Sequence, residues 1–396
     1  MLLKNLLVIS LMTMYLYTLA FGVFMTSFFR IPAPVIFCLP LMFFYNVPIQ
    51  RFAYWTETIL FTIALVLYYF IGQNDFKSLF LCITTIGMCA LYFNYFVGFN
   101  KFRFNLTVII FFALLLFSML LMVLDHSYQS IIDPLRSFLL DEPIKQSPAG
   151  LAITQFAFGY QVAAFTTFIL ILTITLRFNL LITFIVFLAC LAFIYLGMNR
   201  SALVSFVISI TVFMFIYYWY KAAVIFIGLA LVTGFFIYTY ALKSNVDQKN
   251  NIMAKNEAKQ ANDFNRLALA SENLAIYSNY PFGLVFYGKS WEDVTYRNPV
   301  FPDGLSSHNA YLMFLTYLGP FLGFGLLGAI YYRIYKLYWI IFKHIKLKSN
   351  AILISMLFSL LAVSFNAFSH TGWLLNADGP TLFLYYGILQ GSKIYL

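Results

Sequence analysis

Apolar residues fill this chain in long runs broken by short polar interruptions, and the lengths of those runs set the expected architecture. A helix needs roughly 20 predominantly apolar residues to cross a lipid hydrocarbon core. On that measure, spans are predicted at 5–29, 31–50, 57–72, 76–97, 105–124, 151–176, 179–197, 201–219, 222–242, 309–332, 350–368 and 379–395, twelve in all. The run at 57–72 is short, which local bilayer thinning can absorb. The second run ends at Asn46-Val47-Pro48, where the residue before proline disfavours helix. The first run, after Lys4, has no small-residue cleavage site and is expected to be a retained span.

Two stretches interrupt this pattern. Residues 125–150 contain Pro134, Asp141-Glu142-Pro143 and Pro148-Ala149-Gly150, a composition of turns with a short helix. Residues 243–308 are longer. From about 246 to 278 they read as a helix rich in alanine, lysine, glutamate and glutamine. Its second half spaces Phe264, Leu267, Ala268, Ser271, Leu274, Ala275 and Ser278 as one face of an amphipathic helix. Asn279-Tyr280-Pro281 and Gly283 stop it. The expected fold class is therefore an all-α polytopic membrane protein. It has about 12 transmembrane helices and a large outer loop carrying an amphipathic helix, the whole of residues 1–396 forming one integral membrane domain.

Composition agrees with this: 62% of residues are hydrophobic, 20% aromatic and only 10% charged, with a mean hydropathy of +0.85. That is too apolar for a soluble globule. The four cysteines, Cys38, Cys82, Cys89 and Cys190, lie inside apolar runs without metal-ligand spacing. No disulfide, zinc site or cofactor is expected from them.

The net charge of +10 would suit a nucleic-acid binder, but its distribution points elsewhere. With the N-terminus in the cytoplasm, Lys4, Arg51, Lys101, Arg103, Arg177, Lys221, Arg333, Lys336, Lys343, Lys346, Lys348 and Lys393 fall inside, with Glu57 as the one acid among them. The short outer turns hold only Arg30, Lys77 and Arg200. This asymmetry is the positive-inside signature and predicts both termini to be cytoplasmic. The positive charge thus faces anionic lipid, and no nucleic-acid partner is expected.

On that topology three chemically capable side chains share the outer side. Arg200 stands between two apolar runs within Met198–Phe206. Arg266 lies in the loop helix, and His308 ends the loop in Ser306-Ser307-His308-Asn309-Ala310-Tyr311. Two arginines facing one cleft call for an anion between them, and guanidinium donors match phosphate oxygens in pairs. Histidine is the natural general base near neutral pH. An interfacial anchor for Arg200, a solvated helix charge for Arg266 and a helix-start residue for His308 are the plainer alternatives. His370, in Ser369-His370-Thr371, lies on the same outer rim.

Three segments carry a resemblance. Asn199-Arg200-Ser201-Ala202 is similar to an arginine motif at the start of a span. Asn265-Arg266, followed by an amphipathic stretch and the turn Pro281-Phe282-Gly283, is similar to a second. Ser307-His308-Asn309-Ala310-Tyr311, with Gly319 and Gly323 behind it, is similar to the third. In this order and spacing, over about residues 195–330, the chain resembles the O-antigen polymerase and O-antigen ligase superfamily of bacterial inner-membrane proteins. Many relatives have glycine after the first arginine, where this chain has Ser201.

The resemblance implies a glycosyltransferase at the periplasmic face, with 125–150 and 243–308 as periplasmic loops. The donor would be an undecaprenyl-diphosphate-linked oligosaccharide. Arg200 and Arg266 would bind its diphosphate and His308 would deprotonate the acceptor, giving inversion without a metal, cofactor or nucleotide sugar. Asn309, Tyr311 and His370 are the further candidates for substrate binding. The acceptor would be a lipid-linked repeat unit for a polymerase or lipid A-core for a ligase, and a chain-length regulator is an expected protein partner. The near-neutral outer charge leans towards the polymerase. A flippase or transporter should instead show mid-membrane charges in related halves. A glycan polymerase of the lipid II type should carry an outer-face carboxylate, a role for which Asp125 and Asp133 lack context.

Overall fold

The computed structural model describes residues 2–25, 31–44, 51–72, 75–244, 266–295, 308–370 and 379–396. Lipid offers no partner for a backbone N–H or C=O, so apolar runs of this kind close their hydrogen bonds internally as helices. In chain order these are α1 (Leu2–Phe21), α2 (Ala33–Phe44), α3 (Trp55–Gly72) and α4 (Phe76–Leu91), the last followed by a π-helical turn, Tyr92–Val97. Next come α5 (Lys101–Leu140), α6 (Gln155–Thr175), α7 (Leu180–Leu196) and α8 (Arg200–Ser244). Beyond residue 265 come α9 (Arg266–Asn279), the short α10 (Leu284–Tyr287) and α11 (Trp291–Thr295), then α12 (Ala310–Lys343), α13 (Ala351–Asn366) and α14 (Pro380–Tyr395).

The protein is an all-α, multi-pass membrane protein, but the expected count of twelve spans is wrong. Among the described residues, 8 helices are long and apolar enough to cross a membrane. Among the described residues of the run at 31–50, the helix is the 12-residue α2, about 18 Å at 1.5 Å per residue. The run at 179–197 gives the 17 residues of α7, and the run at 379–395 the 16 residues of α14. At about 26 Å and 24 Å both fall short of a hydrocarbon core of about 30 Å. The run at 222–242 continues α8 beyond a break at Trp219, where φ is 68° and ψ is 173°. The eighth helix contributes its Arg200–Tyr220 part to the count.

The expected amphipathic loop helix is also corrected. Residues 245–265 of the expected helix lie outside the described residues, and the part described is the 14-residue α9. Its buried positions are Asn273 and Ile276, whereas Ser271, Leu274, Ala275 and Ser278 of the expected apolar face are exposed. A polar side chain decides which face docks: Asn273 Oδ1 accepts from Thr316 Oγ1 at 2.6 Å, with its Nδ2 3.0 Å from Met313 Sδ.

Helix α6 and helix α13 form the centre, each buried along most of its length, and α8 and α14 pack on α13. Small residues let the central pair approach, and Ser359 Oγ of α13 donates to the Ala164 carbonyl of α6 at 3.1 Å. Rings lock α5 onto this centre: Phe112 stacks on Phe168 at 3.5 Å and Phe111 on Phe383 at 3.6 Å. Helix α12 bends at Gly319-Pro320, where proline removes a helical N–H. Gly319 (φ 74°) lies backbone to backbone with Gly283 (φ 93°), and a Cβ on either would overlap the other's chain.

Candidate functional site

A cavity of about 460 Å³ opens where six helix ends meet. Phe21 and Gly22 at the end of α1 form one side, and Glu142, Lys145, Ala152, Ile153 and Thr154 of the loop after α5 form another. Phe156, Tyr160 and Gln161 of α6 form the floor, and His308, His370 and Gly379 close it.

The loop wall is held from behind by Arg136, whose side chain is 0% exposed. Its guanidinium donates to Asp125 at 2.9 Å and to Asp133 at 2.7 Å. It also donates to Ser147 Oγ and to the carbonyls of Gln146, Gly150 and Ala152. The five N–H donors of the fixed fork meet these six acceptors with the two hydrogens of Nη1 shared among Asp125, Asp133 and Ser147, which is how a buried cation is tolerated. Sequence reasoning set Asp125 and Asp133 aside for lack of context, and Arg136 is that context. Nothing in local periodicity marked it, because its partners are loop carbonyls whose positions only folding creates.

The two cavity histidines face the same ring. The Phe156 centroid lies 5.4 Å from that of His308 and 5.2 Å from that of His370. Phe156 sits in the first turn of α6, set there by Thr154, whose Oγ1 accepts from Ala157 N–H at 3.3 Å. One phenylalanine among 47 gave no sequence signal for this. His308 adopts φ 48°, a left-handed turn that brings the chain into α12. Asn309 then caps that helix, its Oδ1 accepting from Leu312 N–H at 3.0 Å. Tyr311 packs on Phe368 at 4.5 Å and gives its hydroxyl hydrogen to the Ser364 carbonyl at 3.0 Å, so it braces α12 against α13.

His370 follows the 3₁₀ turn Ala367–Ser369 at the end of α13 and is 2% exposed. Its Nε2 lies 2.7 Å from Ser201 Oγ, and its carbonyl accepts from Ala310 N–H at 3.0 Å. Ser201 is the neighbour of Arg200, the half-buried first residue of α8. Asn199 starts that helix, its Oδ1 accepting from Ala202 N–H at 3.2 Å. The structure therefore gathers His308, His370 and the start of α8 at one place.

Arg266 is the first residue of α9, and its side chain lies outside those described. Asn273 meets Met313 and Thr316, and Gly283 meets Gly319, so α9 runs parallel to the first part of α12. The backbone of Arg266 is accordingly at the end of α9 nearer the start of α12, the end that His308 precedes.

Helices α12 and α14 both lead away from the cavity to a basic end. There Arg333 pairs with Glu57 at 2.5 Å, Lys393 sits over the Tyr54 ring at 4.2 Å and Lys101 over the Tyr395 ring at 4.8 Å. Arg177 joins them, donating to the Lys346 carbonyl at 3.4 Å. Among the described residues no group of three or more His, Cys, Asp or Glu could hold a metal ion.

The O-antigen ligase family profile matches residues 183–332, a stretch that contains Arg200, Arg266 and His308. Over that stretch the chain is similar to the O-antigen ligase and polymerase superfamily. No curated protein matches it in sequence. The matched stretch ends within α12, so α13, α14 and the whole α1–α6 side of the cavity lie outside it. Of the cavity residues, only His308 falls inside the match; Glu142, Lys145, Phe156 and His370 come from outside.

Proposed function

We propose that the chain is a glycosyltransferase of the periplasmic face of the bacterial inner membrane, both termini cytoplasmic, acting on undecaprenyl-diphosphate-linked glycans. Of the two reactions in this superfamily, transfer of the glycan to lipid A-core is favoured by the family description, O-antigen ligase. Polymerisation of lipid-linked repeat units is the second reading. It is favoured by the outer side's near-neutral charge, where a large anionic core would be met better by a basic surface.

The observation that supports transfer chemistry is that His308 and His370 line one cavity, with His370 joined through Ser201 to the start of α8. Arg200 and Arg266 would clamp the donor diphosphate in paired hydrogen bonds. Their charge would stabilise the diphosphate as it departs with the bonding electrons of the anomeric C–O bond. The acceptor hydroxyl oxygen would attack the anomeric carbon from the opposite side, with inversion, and its proton would pass to His308. Asn309 and Tyr311 hold the segment that presents His308. Lys145 and Glu142, on the opposite wall, are placed to meet sugar hydroxyls or a further anionic group.

Deleting the gene and resolving lipopolysaccharide on gels tests this. Bare core with lipid-linked polymer accumulating is the ligase result. Core carrying a single repeat unit is the polymerase result. Unchanged lipopolysaccharide and unchanged lipid-linked glycans would reject both.

A further inference from the structure

The transfer step proposed above employs Arg200, Arg266 and His308 and gives His370 no part. We propose that His370 is a positioning residue, acting through Ser201 and Asn199 to fix the start of α8, and hence Arg200, relative to His308; this rests on the transferase assignment.

A count of hydrogens sets the direction of the chain. Asn199 Nδ2 donates to the Gln155 carbonyl at 3.0 Å. Its Oδ1 accepts from Ser201 Oγ at 2.7 Å as well as from Ala202 N–H at 3.2 Å. Serine has one hydroxyl hydrogen, and Asn199 receives it. At the 2.7 Å contact with His370, Ser201 Oγ therefore accepts and Nε2–H donates. The proton of the His370 ring is thereby assigned to Nε2. The series His370, Ser201, Asn199, Gln155 joins the end of α13 to the starts of α8 and α6.

The fold makes room for this series and keeps water from it. Gly159 is the position on α6 where any Cβ would overlap the Asn199 amide. His370, Ser201 and Asn199 are 2%, 7% and 5% exposed, and hydrogen bonds in such surroundings reinforce one another. The backbone of His370 meanwhile grips Ala310, two residues beyond His308. One residue thus ties the arginine-bearing helix start to the histidine-bearing one. With Nε2–H committed to Ser201, that nitrogen takes no proton from an acceptor.

The test uses the full-length protein in lipid nanodiscs, with a synthetic undecaprenyl-diphosphate oligosaccharide as donor and lipid A-core or a second lipid-linked repeat unit as acceptor. His370→Gln, His370→Asn, Ser201→Ala and the Ser201→Ala/His370→Asn double variant are compared for kcat, KM and thermal unfolding. Glutamine can place an amide N–H near the position of Nε2, whereas asparagine reaches only the position of Nδ1. The expected result is near-wild-type kcat for His370→Gln, with a loss of about tenfold for His370→Asn and for Ser201→Ala. The double variant should be no worse than the poorer single, since one series is broken once. Glutamine failing as badly as asparagine, or losses that multiply, would overturn the proposal. If the wild-type protein transfers glycan to neither acceptor, the transferase assignment falls. The unfolding data then decide the hydrogen-bonded series alone: additive destabilisation by Ser201→Ala and His370→Asn removes it, and non-additive destabilisation upholds it.

Discussion

Arg136 and Asp125, both with side chains 0% exposed, lie 2.9 Å apart and anchor the loop that walls the cavity. A buried cation with six partners is stable only as a set, and removing one member strands the others. The wall carrying Lys145 and Glu142 therefore depends on a charge network on its far side.

Arg136→Ala should destabilise the protein by about 3–5 kcal/mol, because Asp125 is left buried without its counter-charge. Thermal unfolding in detergent reads this out. A loss under about 1 kcal/mol, the scale of an exposed ion pair, would show that the network is not buried in solution.

His308→Ala should leave the protein folded in the membrane and lower glycan transfer by about 10²–10⁴-fold, the usual contribution of a general base. Folding is checked by unfolding temperature and transfer by product gels. Normal product from cells carrying this variant would remove His308 from the chemistry.

Arg200→Lys and Arg266→Lys keep the charge but replace a planar fork by a point. Each should lower transfer far more than conservation of charge suggests, by about tenfold or more if one charged hydrogen bond is lost. Wild-type rates in both would argue against a diphosphate clamp.

Gly283→Ala and Gly319→Ala should each destabilise the packing of the α9–α10 segment on α12, by about 1–3 kcal/mol, since both glycines have positive φ and touch each other's backbone. Gly325→Ala, where a Cβ meets nothing within 4 Å, is the control. Proteolysis of the α9–α10 segment should be faster in the first two variants and unchanged in the control.

Arg333→Ala leaves Glu57, 3% exposed, without its 2.5 Å partner at the basic end of the helices. Unfolding temperature should fall, while donor binding at the far cavity should be unchanged. A fall in donor affinity with normal stability would show that the two ends communicate.

Hydropathy alone determined that the chain is helical and membrane-embedded, because a solvent without hydrogen-bonding capacity forces every apolar run to satisfy its own backbone. The motifs around Arg200, Arg266 and His308 were legible for the same local reason: each is a few adjacent residues. Burial was not legible. In α3, Phe61, Ala64 and Leu65 are buried while Ile59, Ile63 and Phe70 are exposed, yet both faces are apolar. Lipid and protein interior are alike to such side chains, so periodicity cannot separate them. The same blindness produced the count of twelve spans, since an apolar run does not reveal where its helix begins and ends. Tertiary structure alone decided that Asn273 rather than Leu274 docks α9, that Phe156 carries two histidines, and that Ser201 meets His370 across 169 positions. Those contacts depend on which helix ends converge, and convergence is a relation between segments that no single segment contains.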